Sequence, residues 1–235
     1  MSQVIETGKA FEFTPENVKK AKVFIARYPK GRQQSAVMPL LDLAQRQNEN
    51  WLSREALEYV GRFLDVPYMR VLEVATFYTM YNLKPVGKYF LQLCRTTPCW
   101  LRGSDDLEAV CKNKLGIANG ETTEDGMFSL LEVECLGACV NAPVVQINDD
   151  FYEDLNAENF EAVLDKLANG EDAPKGPQID RINSAPEGGP KTLLEKTADQ
   201  QGTEDRYIPK HRIESIGRDH RPEGINFVSG LVHRA

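Results

Sequence analysis

The sequence lacks the features that would point to nucleic-acid binding, a membrane span or a nucleotide site. Its 235 residues include 28 Lys and Arg against 35 Asp and Glu, a net charge of −7, so no basic excess is available to neutralise phosphates. No stretch reaches the roughly 18 consecutive apolar residues of a membrane-spanning helix. Neither a Gly-x-Gly-x-x-Gly fingerprint nor a phosphate-binding loop occurs. We therefore expect no nucleic-acid partner, no membrane span and no NADH or substrate site on this chain.

The N-terminal residues also lack the pattern of a targeting segment. Residues 1–13 contain no basic region followed by an apolar stretch, and they are not the Arg-rich, acid-poor type of an organelle transit peptide. We expect a soluble intracellular protein on these grounds.

The first third of the chain has the apolar spacing of helices. Thr14-Pro15 supplies an N-cap hydroxyl and a proline at the first helical position, and a second helix is predicted over residues 35–47. Ser53 is the predicted N-cap of a third helix, and Pro67 can open a fourth. We expect a helical bundle over residues 13–84 that serves in packing and docking. A DNA-binding helix-turn-helix is disfavoured by the acidic balance.

Between residues 86 and 170 the pattern changes to a β-α-β-β-α order, which is typical of a small α/β layer fold. The predicted elements are a strand over 88–93 ending at Cys94, a helix capped by Ser104 and closed by Gly116, a strand over 128–134 ending at Cys135, strands over 143–147 and 151–152, and a helix capped by Asn156. The fold class is therefore α+β. Residues 171–235 are rich in proline and glycine and are predicted to form an extended arm that is ordered against a partner.

The cysteines are the most informative feature. All five lie between Cys94 and Cys139, whereas the three histidines lie near the C-terminal end, with the first of them at His211. Four residues separate Cys94 from Cys99, and three separate Cys135 from Cys139. Because reducing compartments disfavour structural disulfides, such a group indicates metal or redox chemistry. Each pair follows a predicted strand, so we expect both pairs to meet at one edge of the sheet as an all-sulfur site.

Two ligand pairs match a [2Fe–2S] cluster, which needs two thiolates for each iron. A zinc-stabilised interaction module remains the alternative of another class, although the cysteine pairs of zinc sites usually have about two intervening residues. A [4Fe–4S] site, a Rieske centre and a thioredoxin-like dithiol are disfavoured by the spacing and by the absence of nearby histidine. Cys111 falls on an apolar helical face and is predicted to pack in the core as a small hydrophobe.

The residues around the second pair predict a low reduction potential. Glu132 and Glu134 place negative charge before Cys135, and Leu136-Gly137-Ala138 lets backbone N–H groups approach the sulfurs. We expect a midpoint on the order of −400 mV or below, which a redox titration checks and a clearly positive midpoint would contradict. Because such a cluster passes one electron at a time, a two-electron donor would have to bind on another chain.

Three motifs resemble the E-subunit family of respiratory complex I, the NADH:quinone oxidoreductases; members of this family are thioredoxin-like [2Fe–2S] ferredoxins. The motifs are Glu73-Val-Ala-Thr-Phe-Tyr78, Cys94-Arg-Thr-Thr-Pro-Cys99-Trp and Glu134-Cys-Leu-Gly-Ala-Cys139-Val-Asn-Ala-Pro143. The resemblance covers about residues 13–170. It implies a helical bundle followed by a thioredoxin-like [2Fe–2S] domain. Carried over residue by residue, it implies that the cluster ligands are Cys94, Cys99, Cys135 and Cys139.

The same resemblance implies the partners and the location. FMN and NADH would bind only on a neighbouring flavoprotein subunit, and the cluster would hold one flavin electron beside the main path to quinone. The arm would contact further complex I subunits; residues 188–193 are similar to an extension of longer family members. The chain would be peripheral on the cytoplasmic face of the bacterial inner membrane, or on the matrix side in a mitochondrion. The equivalent diaphorase subunit of an NAD-linked hydrogenase or formate dehydrogenase is the alternative.

Overall fold

The computed structural model describes residues 4–186, and these residues form two compact units. One unit contains residues 4–90 together with 122–129. The other contains residues 91–121 together with 130–186. The predicted arm therefore lies outside the described residues from residue 187 onward, and so does the 188–193 segment.

The first unit is the predicted set of helices. Thr14 accepts a hydrogen bond from the Asn17 N–H at 3.2 Å, and Ser53 accepts one from the Ala56 N–H at 3.3 Å, so both predicted N-caps are confirmed. The second helix begins with a 3₁₀ turn before it becomes α-helical. The helices are α1 (Pro15–Ala26), a 3₁₀ turn (Gln33–Ala36), α2 (Val37–Gln47), α3 (Arg54–Leu64) and α4 (Tyr68–Phe77).

The core of this unit lies between the apolar faces of the helices. Leu40 and Leu41 of α2 and Leu57 and Val60 of α3 are fully buried. Burying such a side chain stabilises the fold by about 1.5–3 kcal/mol. The amphipathic spacing seen in the sequence therefore corresponds to a real packed face, which explains why the helix predictions were accurate here.

The second unit contains most of a five-stranded sheet. The elements from residue 89 onward are β1 (Tyr89–Cys94), α5 (Thr97–Leu101), α6 (Ser104–Val110) with a π-helical turn (Cys111–Leu115), β2 (Phe128–Val133), a 3₁₀ turn (Cys139–Asn141), β3 (Val145–Ile147), β4 (Asp150–Glu153), α7 (Ala157–Ala168) and β5 (Gly176–Pro177). The strand order is β2-β1-β3-β4-β5. β1 pairs with β3 and β3 pairs with β4 in antiparallel fashion, whereas β4 and β5 are parallel.

The caps of this unit were predicted with mixed success. Asn156 caps α7 in a reciprocal capping box with Asn159, and Gly116 closes the preceding helical turn with φ of 70°. The prediction that Ser104 caps α6 was wrong. Gly103 occupies the cap position with φ of 96°, Ser104 is the first helical residue, and its buried hydroxyl has no hydrogen-bond partner within the described residues.

Two short elements were not predicted. The five-residue helix α5 is too short to produce a helical period, and the two-residue strand β5 lies in the stretch interpreted as an arm. β5 places residues after α7 against the sheet, since Gly176 pairs with Tyr152.

Candidate iron–sulfur site

The first cysteine pair is buried. Cys94 is the last residue of β1, and Cys99 lies within α5. Their exposed fractions are 1% and 2%, and Ala142 and Leu136 pack against them. The sequence predicted only that this pair follows a strand, and the helix that carries Cys99 was not predicted. The helix forms because Pro98 fits the first helical turn, where a missing N–H costs nothing.

The second pair is exposed. Cys135 follows β2, and Cys139 begins the 3₁₀ turn. Their sulfurs lie 3.4 Å apart, and the Gly137 N–H donates to the Cys135 sulfur at 3.4 Å. Gly137 has φ of 80°, a conformation that glycine adopts without steric cost. The predicted approach of a backbone N–H to sulfur is confirmed at this position.

The two pairs come together in one place. The Leu136 N–H, from the second cysteine segment, hydrogen-bonds the Cys94 sulfur. Electrostatic repulsion from Cys139 contributes to the raised pKa of Cys99. Repulsion from Cys94 contributes in the same way to the raised pKa of Cys139. The structure thus gathers the four predicted thiols around the ends of β1 and β2.

Cys111 stands apart from the four thiols in the helix that follows Cys99. It is fully buried, and burial together with the charge of Glu108 raises its pKa to about 12. Core packing was predicted for this residue and is confirmed.

The pKa values of the gathered thiols differ with their surroundings. Burial disfavours the Cys94 thiolate, but hydrogen bonds from the Thr96 hydroxyl and the Leu136 backbone outweigh it, so the pKa of Cys94 is lowered. Burial, followed by the hydrogen bond with Cys94, raises the pKa of Cys99 to about 12. The hydrogen bond with Cys135, followed by burial, raises the pKa of Cys139.

The raised pKa values of Cys99 and Cys139 disfavour the thiolates that metal ligation requires. A bound cation would offset the desolvation and the interactions with neighbouring thiols that raise these pKa values. Within residues 4–186 no three His, Cys, Asp or Glu side chains are arranged to hold a single metal ion. Four thiols arranged as two local pairs are the donor set of a binuclear cluster, with two sulfurs for each iron.

Arg95 is a neighbour of the site that sequence reasoning missed. It forms ion pairs with Asp105 at 2.7 Å and with Glu108, and its guanidinium lies 3.9 Å from Glu132. The negative charge of Glu132, which was used to predict a low potential, is therefore partly offset. No local spacing signals this contact, because the carboxylates lie 10 to 37 positions away in the sequence.

Three exposed apolar side chains, here called the apolar rim, directly follow proposed ligand cysteines in the sequence. Trp100 and Leu101 follow Cys99 and are 54% and 71% exposed, and Val140 follows Cys139 and is 67% exposed. The Trp100 indole N–H donates to Asp105 at 3.1 Å, which holds the ring in place. Large apolar side chains left in water beside a functional site are typical of a protein–protein contact.

Comparisons with known proteins identify related iron–sulfur proteins. A model of the thioredoxin-like [2Fe-2S] ferredoxin family matches residues 21–168. The E subunit of NADH-quinone oxidoreductase from Rickettsia bellii is 62% identical over 159 residues, covering 68% of this chain and 95% of that protein. The mitochondrial NADH dehydrogenase [ubiquinone] flavoprotein 2 of Dictyostelium discoideum is 50% identical over 185 residues, covering 79% of this chain and 75% of that protein.

A solved structure shows the same fold at lower identity. It is the air-oxidized NAD+-reducing [NiFe]-hydrogenase, with a TM-score of 0.50 and 22% identity over 55% of this chain. The matched part is only 23% of that hydrogenase chain. The similarity supports the α+β architecture of the described residues.

Proposed function

Since the chain belongs to the thioredoxin-like [2Fe–2S] ferredoxin family, we propose that it is the electron-transfer subunit of the NADH dehydrogenase module of respiratory complex I. Its relatives include proteins named as E subunits of NADH-quinone oxidoreductase, so it is an oxidoreductase subunit with one [2Fe–2S] cluster. In this proposal the cluster exchanges single electrons with FMN on a partner that also binds NADH.

The observation that carries the proposal is the gathering of four thiols as one buried and one exposed pair. We assign Cys94, Cys99, Cys135 and Cys139 as the ligands. When bound, the cluster supplies one-electron chemistry. Cys94 and Cys99 would hold it from buried positions and Cys135 and Cys139 from exposed ones, and the Gly137 N–H, which donates to the Cys135 sulfur, would stabilise the thiolate charge there.

The apolar rim directly follows Cys99 and Cys139 in the sequence, and we assign the surface formed by the rim and the exposed pair to the partner that binds the flavin and NADH. In the complex, this surface and the exposed cysteine pair would face that partner.

Further complex I subunits would contact residues 171–235. The domain boundaries at residues 13–84, 86–170 and 171–235 remain predictions. None of the helices within residues 4–186 is long and apolar enough to cross a bilayer. We propose a peripheral position on the cytoplasmic face, or on the matrix side in a mitochondrion.

The alternative is a diaphorase subunit of a hydrogenase or formate dehydrogenase. The relatives named for NADH-quinone oxidoreductase and for NADH dehydrogenase [ubiquinone] favour complex I, whereas the hydrogenase similarity concerns the fold alone. Co-purification of quinone-reductase subunits with the tagged full chain supports the first assignment. Co-purification of a nickel-containing hydrogenase subunit would replace it with the second.

The function itself is tested by reduction of the cluster. We expect NADH to bleach the visible absorption of the full chain only when the flavin-binding partner is added, because the chain contributes no nucleotide site. Bleaching by NADH of the chain alone, or no bleaching with the partner present, contradicts the proposal.

The rim is tested by one charged substitution and a matched control. Leu101→Asp should weaken binding to the flavin-binding partner by at least about tenfold, since a carboxylate would be desolvated in an apolar contact. Val23→Asp, on the exposed side of α1 and 57% exposed, should leave the affinity unchanged. Titration calorimetry measures both, and equal affinities for the two variants would remove the rim from the interface.

A further inference from the structure

A buried ion pair contacts the backbone immediately after the second cysteine pair. Arg181, four residues after β5, donates from Nε to Asp154 Oδ2 at 2.7 Å, and its Nη2 also contacts Asp154 Oδ1. The side chains of Arg181 and Asp154 are 5% and 2% exposed. Removing charges from water is costly unless they are paired and hydrogen-bonded, so a pair this deeply buried indicates a fixed geometry.

The same guanidinium reaches the backbone beside a proposed ligand. Arg181 Nη2 donates to the Val140 carbonyl at 2.9 Å, and Val140 is the residue after Cys139. Arg181 Nη1 donates to the Ala185 carbonyl at 3.1 Å. A planar guanidinium with five donors can hold a carboxylate and two carbonyls together, which a lysine ammonium cannot do in the same geometry.

Asn141 adds a second connection between the same segments. It is 1% exposed, and its amide donates to Glu153 Oε2 at 2.9 Å and to the Asn183 carbonyl at 2.8 Å. The Asp154 N–H in turn donates to the Asn141 carbonyl at 2.7 Å. The two residues that follow Cys139 are therefore held by hydrogen bonds to the end of β4, to Asp154 and to the segment after β5.

We propose that Arg181 is a positioning residue for the cluster: through Val140 and Asn141 it fixes the exposed ligand segment of residues 135–139. Residues 176–185 then belong to the iron–sulfur site although none of them is a ligand. The inference rests on the proposed function, because it takes Cys135 and Cys139 as ligands.

This role explains how an open segment can keep a defined geometry. Cys135, Gly137 and Cys139 are exposed to solvent, so the surrounding core does not hold them. The buried network of Arg181, Asp154 and Asn141 begins one residue further along the chain and supplies a rigid end point. By fixing the backbone after Cys139, these residues would determine the orientation of the ligand sulfurs. The electronic properties of a cluster depend on that orientation.

The test uses the full chain loaded with its cluster. Arg181→Gln should shift the g-values of the reduced cluster in electron paramagnetic resonance and speed cluster loss to a chelator by about tenfold or more. Arg181→Lys keeps the positive charge beside Asp154 but cannot also hold Val140, so it should give an intermediate change. If Arg181→Gln does not fold, Arg181→Lys decides the result alone.

A destabilised control separates positioning from general loss of stability. Leu164 of α7 is fully buried, and Leu164→Ala should lower the unfolding temperature while leaving the g-values and the rate of cluster loss as in the wild type. Wild-type spectra and loss rates in the Arg181 variants, or the same changes in Leu164→Ala, would overturn the inference. A wild-type chain without iron would instead overturn the proposed ligands.

Discussion

We expect Cys135→Ala to remove the [2Fe–2S] cluster and to leave the fold intact. Cys135 is an exposed residue, so its loss opens no core cavity, but as a proposed ligand it would leave one iron without a thiolate. Iron and acid-labile sulfide should fall from about two each per chain to nearly zero, and the brown colour should disappear. Elemental analysis, visible absorption and far-ultraviolet circular dichroism of the same sample measure the effect.

The matched control for this change is Cys111→Ala. It removes a thiol of the same chemistry from the same chain, but from the core of the second unit. Iron and sulfide should stay at the wild-type level, and the free energy of unfolding should fall by about 1 kcal/mol, as for deletion of one buried methyl group. A Cys135→Ala protein that retains both irons, or a Cys111→Ala protein that loses them, would contradict the ligand assignment.

Cys111 is expected to be nearly inert towards thiol reagents. Burial raises its pKa to about 12, so about one molecule in ten thousand carries the thiolate at pH 8, against roughly a quarter for an ordinary cysteine of pKa about 8.5. Alkylation of Cys111 in the folded chain should therefore be at least about a thousandfold slower than in unfolded chain. Mass spectrometry after timed labelling with iodoacetamide gives the rate at each cysteine.

The exposed Cys135 and Cys139 of cluster-free protein are internal references for that labelling. They should react within the time in which Cys111 stays unmodified. Because the folded state favours the protonated Cys111 thiol, its contribution to stability is complete below about pH 8.5 and is lost as the pH rises towards about 12. Labelling of Cys111 as fast as of Cys139 would show that the helix carrying it opens readily.

The elements that the sequence predicted well are those with local signals. Thr14, Ser53 and Asn156 are polar residues directly before an apolar period, and each caps a helix as expected. Ser104 gave the same signal and was wrong, because Gly103 adopts a left-handed conformation that moves the helix start by one residue. That choice depends on how the α5–α6 turn packs, which a local pattern does not contain.

The same distinction applies to the candidate site: its cysteines were predicted from local spacing, and the residues that support them were not. Four thiols in two local pairs were visible in the spacing, and the structure gathers them. The residues that support them were not visible: Arg181 contacts Val140 across 41 positions, and Arg95 pairs with carboxylates on α6 and at the end of β2. In a stretch rich in proline and glycine, the local sequence does not distinguish a buried charged residue from a solvent-exposed one. The burial of Arg181 follows only from its tertiary contacts.

In cluster-free chain outside its complex, the unequal burial of the two cysteine pairs should decide which thiols are oxidised first. Peroxide in the solvent would reach the exposed Cys135 and Cys139 sooner than the buried Cys94 and Cys99. A sulfenic acid formed on one exposed thiol would find its neighbour 3.4 Å away, and that thiol can displace water to close a disulfide. Thioredoxin-type reductants can reduce such a disulfide, so oxidation of the exposed pair would be reversible.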